Sequence, residues 1–240
     1  MGIDIGPIEV TDGLALNFDV GNIRSYSGSG TSVNGLVGGI GVTLINGVGF
    51  GTTGTNYFIL DGTNDNIPFY VPNVGTTLTI ELWAKVRSFN GGMIIGFLTY
   101  DVWTADGAMG FNTAQADQYG ITSTQVNNLG LLNNWKHYVF EMRSDVSYTN
   151  NKIYVNGQNQ SLSQVLSTEY VAFRNFNSGN GRISSWLTDN NYYIPMDLGQ
   201  FQVYNRALTA TEIFQNYNAT KGRYRSVSYT HLTLPTICSV

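Results

Sequence analysis

The sequence predicts an all-β domain, an antiparallel β-sandwich with one short C-terminal helix. Three observations support this prediction: charged residues make up only 12% of the 240 residues, aromatic residues make up 13%, and the chain contains 28 glycines. A soluble domain usually carries roughly 25% charged residues, whereas short aromatic strands joined by glycine turns are typical of β-sandwiches. The length suits one domain built around one core.

The clearest predicted strand is the segment 76–86, TTLTIELWAKV, in which apolar and polar residues alternate. Leu78 and Leu82 fall on one face, and Glu81 and Lys85 fall on the other, which indicates a strand with one buried face. Further strands are predicted in the segments GGMIIGFLTY, GAMGFNT, WKHYVFEM, NKIYVNGQ and LGQFQVYN. Because turn residues separate these segments and no helices alternate with them, we expect antiparallel pairing.

Two local motifs fix a turn and a helix. The sequence VNGQ at Val155–Gln158 predicts a two-residue hairpin, since Asn156 and Gly157 tolerate positive φ. The segment LTATEIFQNYNATKG predicts the C-terminal helix. Thr209 and Glu212 have the spacing of a capping box at its start, and Gly222 follows its end.

The charge pattern argues against two classes of partner. The formal net charge is -4, the pI is near 5.0, and the 12 basic residues are scattered along the chain. Nucleic acids and anionic membranes require a clustered basic surface, so we expect neither as a partner. The N-terminus lacks a signal-peptide pattern, and no apolar run has the length of a transmembrane segment, so we expect no membrane insertion.

Several segments carry a resemblance to a known family: GLALNFDVGNIRSYSGSGT, FILDGTNDNI, LTIELWAKV, WKHYVFEM, NKIYVNG and VYNRALTATEIFQNYNATKGRY. Their order and spacing resemble laminin G-like domains of the concanavalin A-like lectin/glucanase jelly-roll superfamily, above all those of tailed-phage and environmental viral structural proteins. The resemblance spans residues 13–225, after a lead-in of residues 1–12. It implies a jelly roll at a virion or extracellular surface, with other virion proteins as partners.

The last residues, 226–240, depart from this pattern and contain Cys238 and His231. Within them the segment 227–236, VSYTHLTLPT, resembles translated sequencing-adapter DNA. We interpret residues 226–240 as a non-native tail and exclude them from the fold and the chemistry. The folded domain is therefore expected to end near Arg225.

The superfamily includes glucanases, so the resemblance raises the possibility of glycoside hydrolysis. A retaining glycosidase needs two carboxyl groups about 5–5.5 Å apart, which a strand supplies through acidic residues at positions i and i+2. The superfamily's Glu-x-Asp-x-x-Glu signature is absent, and His137, within a predicted strand, is expected to pack rather than act as a base. No carboxylate stands two residues from any of Glu9, Glu81, Glu141, Glu169 or Glu212. We therefore expect a domain without enzymatic activity.

Two stretches predict a carbohydrate site, because sugar rings stack on aromatic faces and their hydroxyls bind carboxylates and amides. The stretches are TYDVWTADGAMGFNT and SSWLTDNNYY, both interpreted as loops, whereas Trp83 and Trp135 are assigned to strands and the core. The candidate ligand residues are Asp101, Trp103, Asp106, Asn112, Trp186, Asp189 and Tyr192.

The predicted function is thus a virion structural or adhesion module that binds a glycan or cell-surface carbohydrate. In the alternative, the loop aromatics close the ends of the sandwich or contact a neighbouring subunit, and the domain is purely structural. A glycoside hydrolase ranks third.

A calcium ion is the one cofactor that the resemblance implies, since relatives hold one between the first strand and the last. Asp19 in FDVGN and Asp197 in PMDLGQ occupy corresponding places in this sequence. Their alternative interpretation is as turn or surface aspartates. The early segment 33–41, VNGLVGGIG, lacks the polar groups that many relatives carry there.

Overall fold

The computed structural model describes residues 7–113, 115–188 and 191–224. Within these ranges the chain forms two large antiparallel sheets and a short C-terminal helix, which confirms the predicted sandwich. The strands are β1 (Leu14–Asp19), β2 (Ser32–Val33), β3 (Val42–Thr43), β4 (Gly49–Gly51), β5 (Tyr57–Leu60), β6 (Ile67–Tyr70), β7 (Thr77–Val86), β8 (Gly92–Gly96), β9 (Asp101–Ala105), β10 (Ala108–Asn112), β11 (Gln118–Ile121), β12 (Trp135–Arg143), β13 (Lys152–Val155), β14 (Gln158–Asn159), β15 (Ser163–Leu166), β16 (Asn180–Ile183) and β17 (Met196–Tyr204). The α-helices are α1 (Ser123–Asn128) and α2 (Ala210–Thr220), and 3-10 turns lie at Tyr148–Asn150, Val171–Phe173, Asn177–Gly179 and Lys221–Arg223.

The first sheet has the strand order β14-β13-β12-β7-β17-β5-β4, and β1 also pairs with β17. Two strands pair with the same edge of β17. Met196–Leu198 of β17 pairs with β5, and Gln200–Tyr204 pairs with β1. The register of β17 against β7 shifts between Leu198 and Gln200, at Gly199. This bulge lets the first and last regions of the chain meet in the middle of one sheet.

The second sheet has the order β15-β11-β10-β9-β8-β16-β6, and the short strands β2 and β3 pair separately. The main core fills the space between the two large sheets. Aromatic contacts connect the sheets directly: Phe69 and Phe201 have ring centroids 5.1 Å apart, and Phe111 meets Phe140 edge to face at 6.4 Å. Buried aromatic side chains therefore hold the two layers in position.

Strand β7 differs from its prediction, because both of its faces are buried. Leu78 and Leu82 lie in the core as expected, but Glu81 and Trp83 on the opposite face are also almost inaccessible. Helix α2 covers this outer face: Asn216 donates to Glu81 at 2.8 Å, and the Trp83 indole donates to Thr220 at 2.7 Å. The alternation in the sequence therefore separates an apolar face that packs in the core from a mixed face that packs against α2.

The described residues contain one α-helix, α1, that the sequence analysis did not predict. The hydroxyl of Thr122 accepts from the amide of Gln125, and the side chain of Gln125 accepts from the amide of Thr122. The two residues thus form a second capping box. The predicted hairpin is confirmed, since Asn156 and Gly157 have φ values of 52° and 76° between β13 and β14. None of the described helices is both long and apolar enough to span a membrane.

Candidate functional site

Five of the seven predicted ligand residues lie around one small depression, which we call the Trp103 pocket. Its volume is about 110 Å³, and it opens on the outer face of the second sheet. The predicted residues that line it are Asp101, Trp103, Asn112, Trp186 and Tyr192. The two aromatic stretches, more than 70 residues apart in the sequence, thus converge on one place.

Strand geometry explains how the first stretch reaches this face. Asp101 and Trp103 belong to β9 and not to a loop, and Val102 between them lies in the main core. Since successive side chains of a strand point to opposite faces, Asp101 and Trp103 both point outward. On this outer face, Trp103 packs with Met93 and Ala105 in a small cluster separate from the main core, and Trp186 packs against that cluster.

The neighbouring strands leave room beside the indole. Trp103 pairs in register with Gly110 of β10, and Gly110 pairs with Gly120 of β11. A Cβ atom on either glycine would clash with the backbone of the opposite strand. Beside Trp103, the next two strands therefore carry only glycine, so no side chain covers the indole from that direction.

The second stretch forms the rim of the pocket. The Trp186 indole donates to the carbonyl of Leu98 at 2.9 Å, and the carbonyl of Tyr192 accepts from the amide of Met93 at 2.8 Å. The rings of Trp186 and Tyr192 meet edge to face, with centroids 6.0 Å apart. Tyr192 is 40% exposed, so this rim offers an aromatic surface to solvent.

Two polar atoms in the pocket have no hydrogen-bond partner among the described residues: Oδ1 of Asp101 and Nε1 of Trp103. Both side chains are largely buried, at 1% and 9% exposure. Burial raises the pKa of the Asp101 carboxyl well above its usual value, against a backbone hydrogen bond from Phe97 that lowers it, and nearby Asp117 raises it further. A buried acceptor and a buried donor thus lie two residues apart on one face, and both need a partner.

A tight loop closes the opposite side of the pocket. The side chain of Asn112 donates to the carbonyl of Asp117 at 3.0 Å. Asp117 in turn accepts from the amide and the hydroxyl of Thr113, both at 2.7 Å. Gln115 and Ala116 follow with φ values of 60° and complete the wall. Sequence reasoning missed these two residues, since neither is aromatic or charged.

Two predicted ligand residues are not part of the described pocket. Asp106 lies in the β9–β10 turn with a φ of 50°, at the end of the hairpin remote from Asp101 and Asn112, so it does not line this pocket. The sequence Asp-Gly is typical of a two-residue hairpin turn, and a ligand role for Asp106 stays a prediction. Asp189 lies outside the described residues.

The predicted calcium ligands are each engaged by basic side chains. Asp19 binds the guanidinium of Arg223 through two bonds of 2.5 and 2.6 Å. Asp197 contacts Lys85 at 2.6 Å and also pairs with Arg87. Among the described residues no group of three or more acidic, histidine or cysteine side chains is placed to hold a metal. The pair does not fit a calcium ion in this arrangement, and calcium binding stays a prediction that requires these ion pairs to open.

His137 is buried, as its position in a strand predicts. Its ring lies 5.3 Å from that of Trp83 and 5.9 Å from that of Tyr217, and its Nε2 is 3.7 Å from a carboxylate oxygen of Glu81. These contacts place the histidine beneath helix α2, where it packs within the outer layer of the first sheet.

Comparison with known families decides the classification. A laminin G family model, described as the concanavalin A-like lectin/glucanases superfamily, matches residues 61–214, more than half of the chain. The chain belongs to this superfamily. A search of curated protein sequences found no match.

Solved structures with the same fold include toxin domains and a sialidase. The binding domain of Paraclostridial Mosquitocidal Protein 1 shares 16% identity with a TM-score of 0.60, and the match covers 86% of this chain and 52% of that one. The ligand-binding domain of botulinum neurotoxin serotype D, in complex with N-acetylneuraminic acid, shares 14% identity with a TM-score of 0.58, covering 86% and 50%. A Trypanosoma rangeli sialidase in complex with the inhibitor DANA shares 14% identity with a TM-score of 0.61, covering 90% and 34%. The present chain therefore spans about half the length of the toxin domains and a third of the sialidase.

Proposed function

We propose that this domain is a non-catalytic carbohydrate-binding module whose glycan site is the Trp103 pocket. The observation that carries the proposal is the buried pair of polar atoms without partners, Oδ1 of Asp101 and Nε1 of Trp103. A sugar hydroxyl is both a donor and an acceptor, so one hydroxyl edge satisfies the carboxylate and the indole together. Leaving such groups unpaired is costly, which favours a ligand that pairs them.

The dimensions of the pocket indicate how much of a sugar enters it. A volume of about 110 Å³ accommodates one edge of a ring rather than a whole oligosaccharide. The rest of the ring then lies against Trp186 and Tyr192 at the rim, where aromatic faces can stack on it. Such a shallow site buries little area, so dissociation constants of roughly micromolar to millimolar are expected.

Two further points support binding rather than hydrolysis. The sequence lacks a carboxylate pair at positions i and i+2, and the similar toxin structures are described as binding domains. The complex of the botulinum domain with N-acetylneuraminic acid makes sialylated glycans a reasonable group to include in a screen.

The biological setting that we propose is adhesion at a virion or extracellular surface, with other virion proteins as partners. It is supported by the resemblance of residues 13–225 to domains of viral structural proteins. The gene's neighbours test it: capsid or tail genes beside this one agree with the proposal, whereas a polysaccharide-utilisation cluster contradicts it.

The glycan site is tested with the full-length chain on a glycan array, followed by titration of the strongest glycan. Asp101→Asn and Trp103→Phe should each weaken binding about tenfold. The first keeps the side-chain shape but replaces a carboxylate by a weaker, neutral amide acceptor, and the second removes the indole N–H together with part of the ring. Trp186→Ala should weaken it similarly by removing the rim. Asp106→Asn is the matched control on the same hairpin and should bind like the wild type.

A reducing-sugar assay on the bound glycan separates binding from hydrolysis. Newly released sugar ends would revive the glucanase hypothesis. An array without any bound glycan would favour the purely structural role in decoration or assembly. Wild-type binding by all three test variants, Asp101→Asn, Trp103→Phe and Trp186→Ala, would instead assign the glycan to a site other than the Trp103 pocket.

A further inference from the structure

A second concave site lies on the opposite face of the sandwich, at the C-terminal end of α2. This Trp135 cavity has a volume of about 420 Å³. It is lined by four aromatic residues and two lysines: Trp83, Trp135, Tyr217, Tyr224, Lys136 and Lys221. The sequence analysis assigned both tryptophans to the core, but Trp135 is only partly buried and faces the cavity.

The four rings form one continuous aromatic surface. Trp83 and Tyr224 stack with centroids 4.4 Å apart and an interplanar angle of 12°. Trp135 contacts Tyr224 at 5.1 Å, and Tyr217 stacks on Trp83 at 5.9 Å. Trp83 and Tyr224 are buried beneath this surface, whereas Trp135 and Tyr217 are partly exposed and offer their rings to the apolar face of a sugar.

The polar lining supplies hydrogen bonds and positive charge. Asn133, Asn134 and Asn156 lie at the rim, and no carboxylate of the described residues lines the cavity. Lys136 is paired with Ala84 on the inner face of the sheet, and its ammonium group donates to the carbonyl of Leu129 at 2.7 Å, away from the rings. Lys221 lies beside the aromatic surface, with its Nζ 5.4 Å from the centroid of the Tyr217 ring, and donates to Asn218. Since an ammonium group has three N–H donors, Lys221 keeps donors for a ligand. This cationic lining stands out in a chain whose net charge is -4.

We propose that the Trp135 cavity binds an acidic saccharide, with a sugar ring on the aromatic surface and its carboxylate near Lys221. The volume suits one or two sugar units. The end of α2 also opens here, and its carbonyl groups carry partial negative charge, which disfavours a dianionic phosphate more than a singly charged carboxylate. Nucleotides are therefore the weaker candidate. This site is separate from the Trp103 pocket, and the proposal does not depend on the function of that pocket.

The four tryptophans of the chain allow the two sites to be observed separately. Trp83 and Trp135 line the Trp135 cavity, whereas Trp103 and Trp186 line the Trp103 pocket. A Trp103→Phe/Trp186→Phe variant of the full-length chain retains fluorescent reporters only at the cavity. Circular dichroism first establishes that this variant is folded like the wild type.

The probes are D-glucuronate and D-glucose, which differ only in the carboxylate, with sodium acetate added to the glucose to match the ionic strength. Glucuronate should change the fluorescence saturably, with at least about fivefold higher affinity than glucose. Lys221→Gln should abolish this preference, and Tyr217→Leu should weaken both sugars. Arg24→Gln removes a positive charge at an exposed position outside the cavity, so it is the control and should leave the preference unchanged.

Three outcomes would overturn the proposal. They are the absence of a saturable signal with either sugar, equal affinity for glucuronate and glucose, and tighter binding of adenosine monophosphate than of glucuronate. The last would assign the cavity to nucleotides. An unchanged preference in Lys221→Gln would contradict the role of that lysine.

Discussion

Asp101 connects the stability of this domain to its candidate glycan site. The carboxyl lies in β9, is almost inaccessible to solvent, and has one oxygen without a partner among the described residues. Burial disfavours its ionised form, so its pKa is raised in the folded protein. A group whose folded pKa exceeds its unfolded pKa binds its proton more tightly when folded, and its contribution to stability is lost as the pH rises through the folded value.

Asp101→Asn should therefore stabilise the domain at pH 8 by roughly 1–3 kcal/mol, because the amide carries no charge to bury. The advantage over the wild type should shrink as the pH falls towards 4, where the aspartate is protonated in the folded state. Urea unfolding at both pH values measures this difference. Asp106→Asn, an exposed residue of the same hairpin, should show no such pH-dependent gain. Equal unfolding midpoints for Asp101→Asn and the wild type at pH 8 would contradict the argument.

The same residues show what sequence could and could not predict at this scale. Side-chain chemistry was sufficient to select Asp101, Trp103 and Trp186 as candidates, because ligand pockets combine aromatic side chains with a few polar groups. Side-chain chemistry could not show that Asp101 and Asp106 occupy different places, since both are aspartates close to Trp103 in the sequence. Only the strand register shows that one points into the pocket and the other occupies the turn.

Helix α2 is the element that turns the first sheet into a layer buried on both faces. Its capping box is formed as predicted: Thr209 accepts from the amide of Glu212, and Glu212 accepts from the amide of Thr209 at 2.8 Å. Arg206 also binds Glu212, and this hydrogen bond is the largest cause that lowers the pKa of Glu212 to about 2. The capping motif was readable because it is local, whereas the surface that the helix covers depends on contacts with residues more than 100 positions away.

Thr209→Ala should lower the free energy of unfolding by about 1 kcal/mol, because an amide at the start of the helix loses its partner. Thr211→Ala changes the same residue type two positions later, at an exposed site without a capping role, and is the control. Urea unfolding of both variants at neutral pH gives the comparison. If the two variants unfold at the same denaturant concentration, the capping box does not stabilise the fold as argued.

At the scale of the whole molecule, the end of the described chain closes the sandwich against its beginning. Arg223 binds Asp19 of β1 through two bonds, and Tyr224 stacks on Trp83 of β7. The Tyr224 ring packs beside Gly199, where a Cβ atom would collide with it. The resemblance to laminin G-like domains predicted an end near Arg225. The contacts of Arg223 with Asp19 and of Tyr224 with Trp83 could not be predicted, since no sequence pattern links positions more than 140 residues apart.

Because of these contacts, two truncated chains should differ sharply in thermal stability. A chain that ends at Arg225 keeps Arg223 and Tyr224, and we expect it to melt at the temperature of the full-length protein, since residues 226–240 resemble adapter-derived sequence. A chain that ends at Gly222 loses the buried tyrosine and leaves Asp19 without its guanidinium, so it should lose about 3 kcal/mol or more.

Asp19→Asn in the chain that ends at Arg225 separates the two contributions, because it removes the ion pair and retains the tyrosine. Thermal unfolding of the four proteins should rank the full-length chain and the 1–225 chain together, then Asp19→Asn, and the 1–222 chain last. A large loss of stability in the 1–225 chain would instead show that residues 226–240 contribute to the fold, and the interpretation of that segment as a non-native tail would have to be withdrawn.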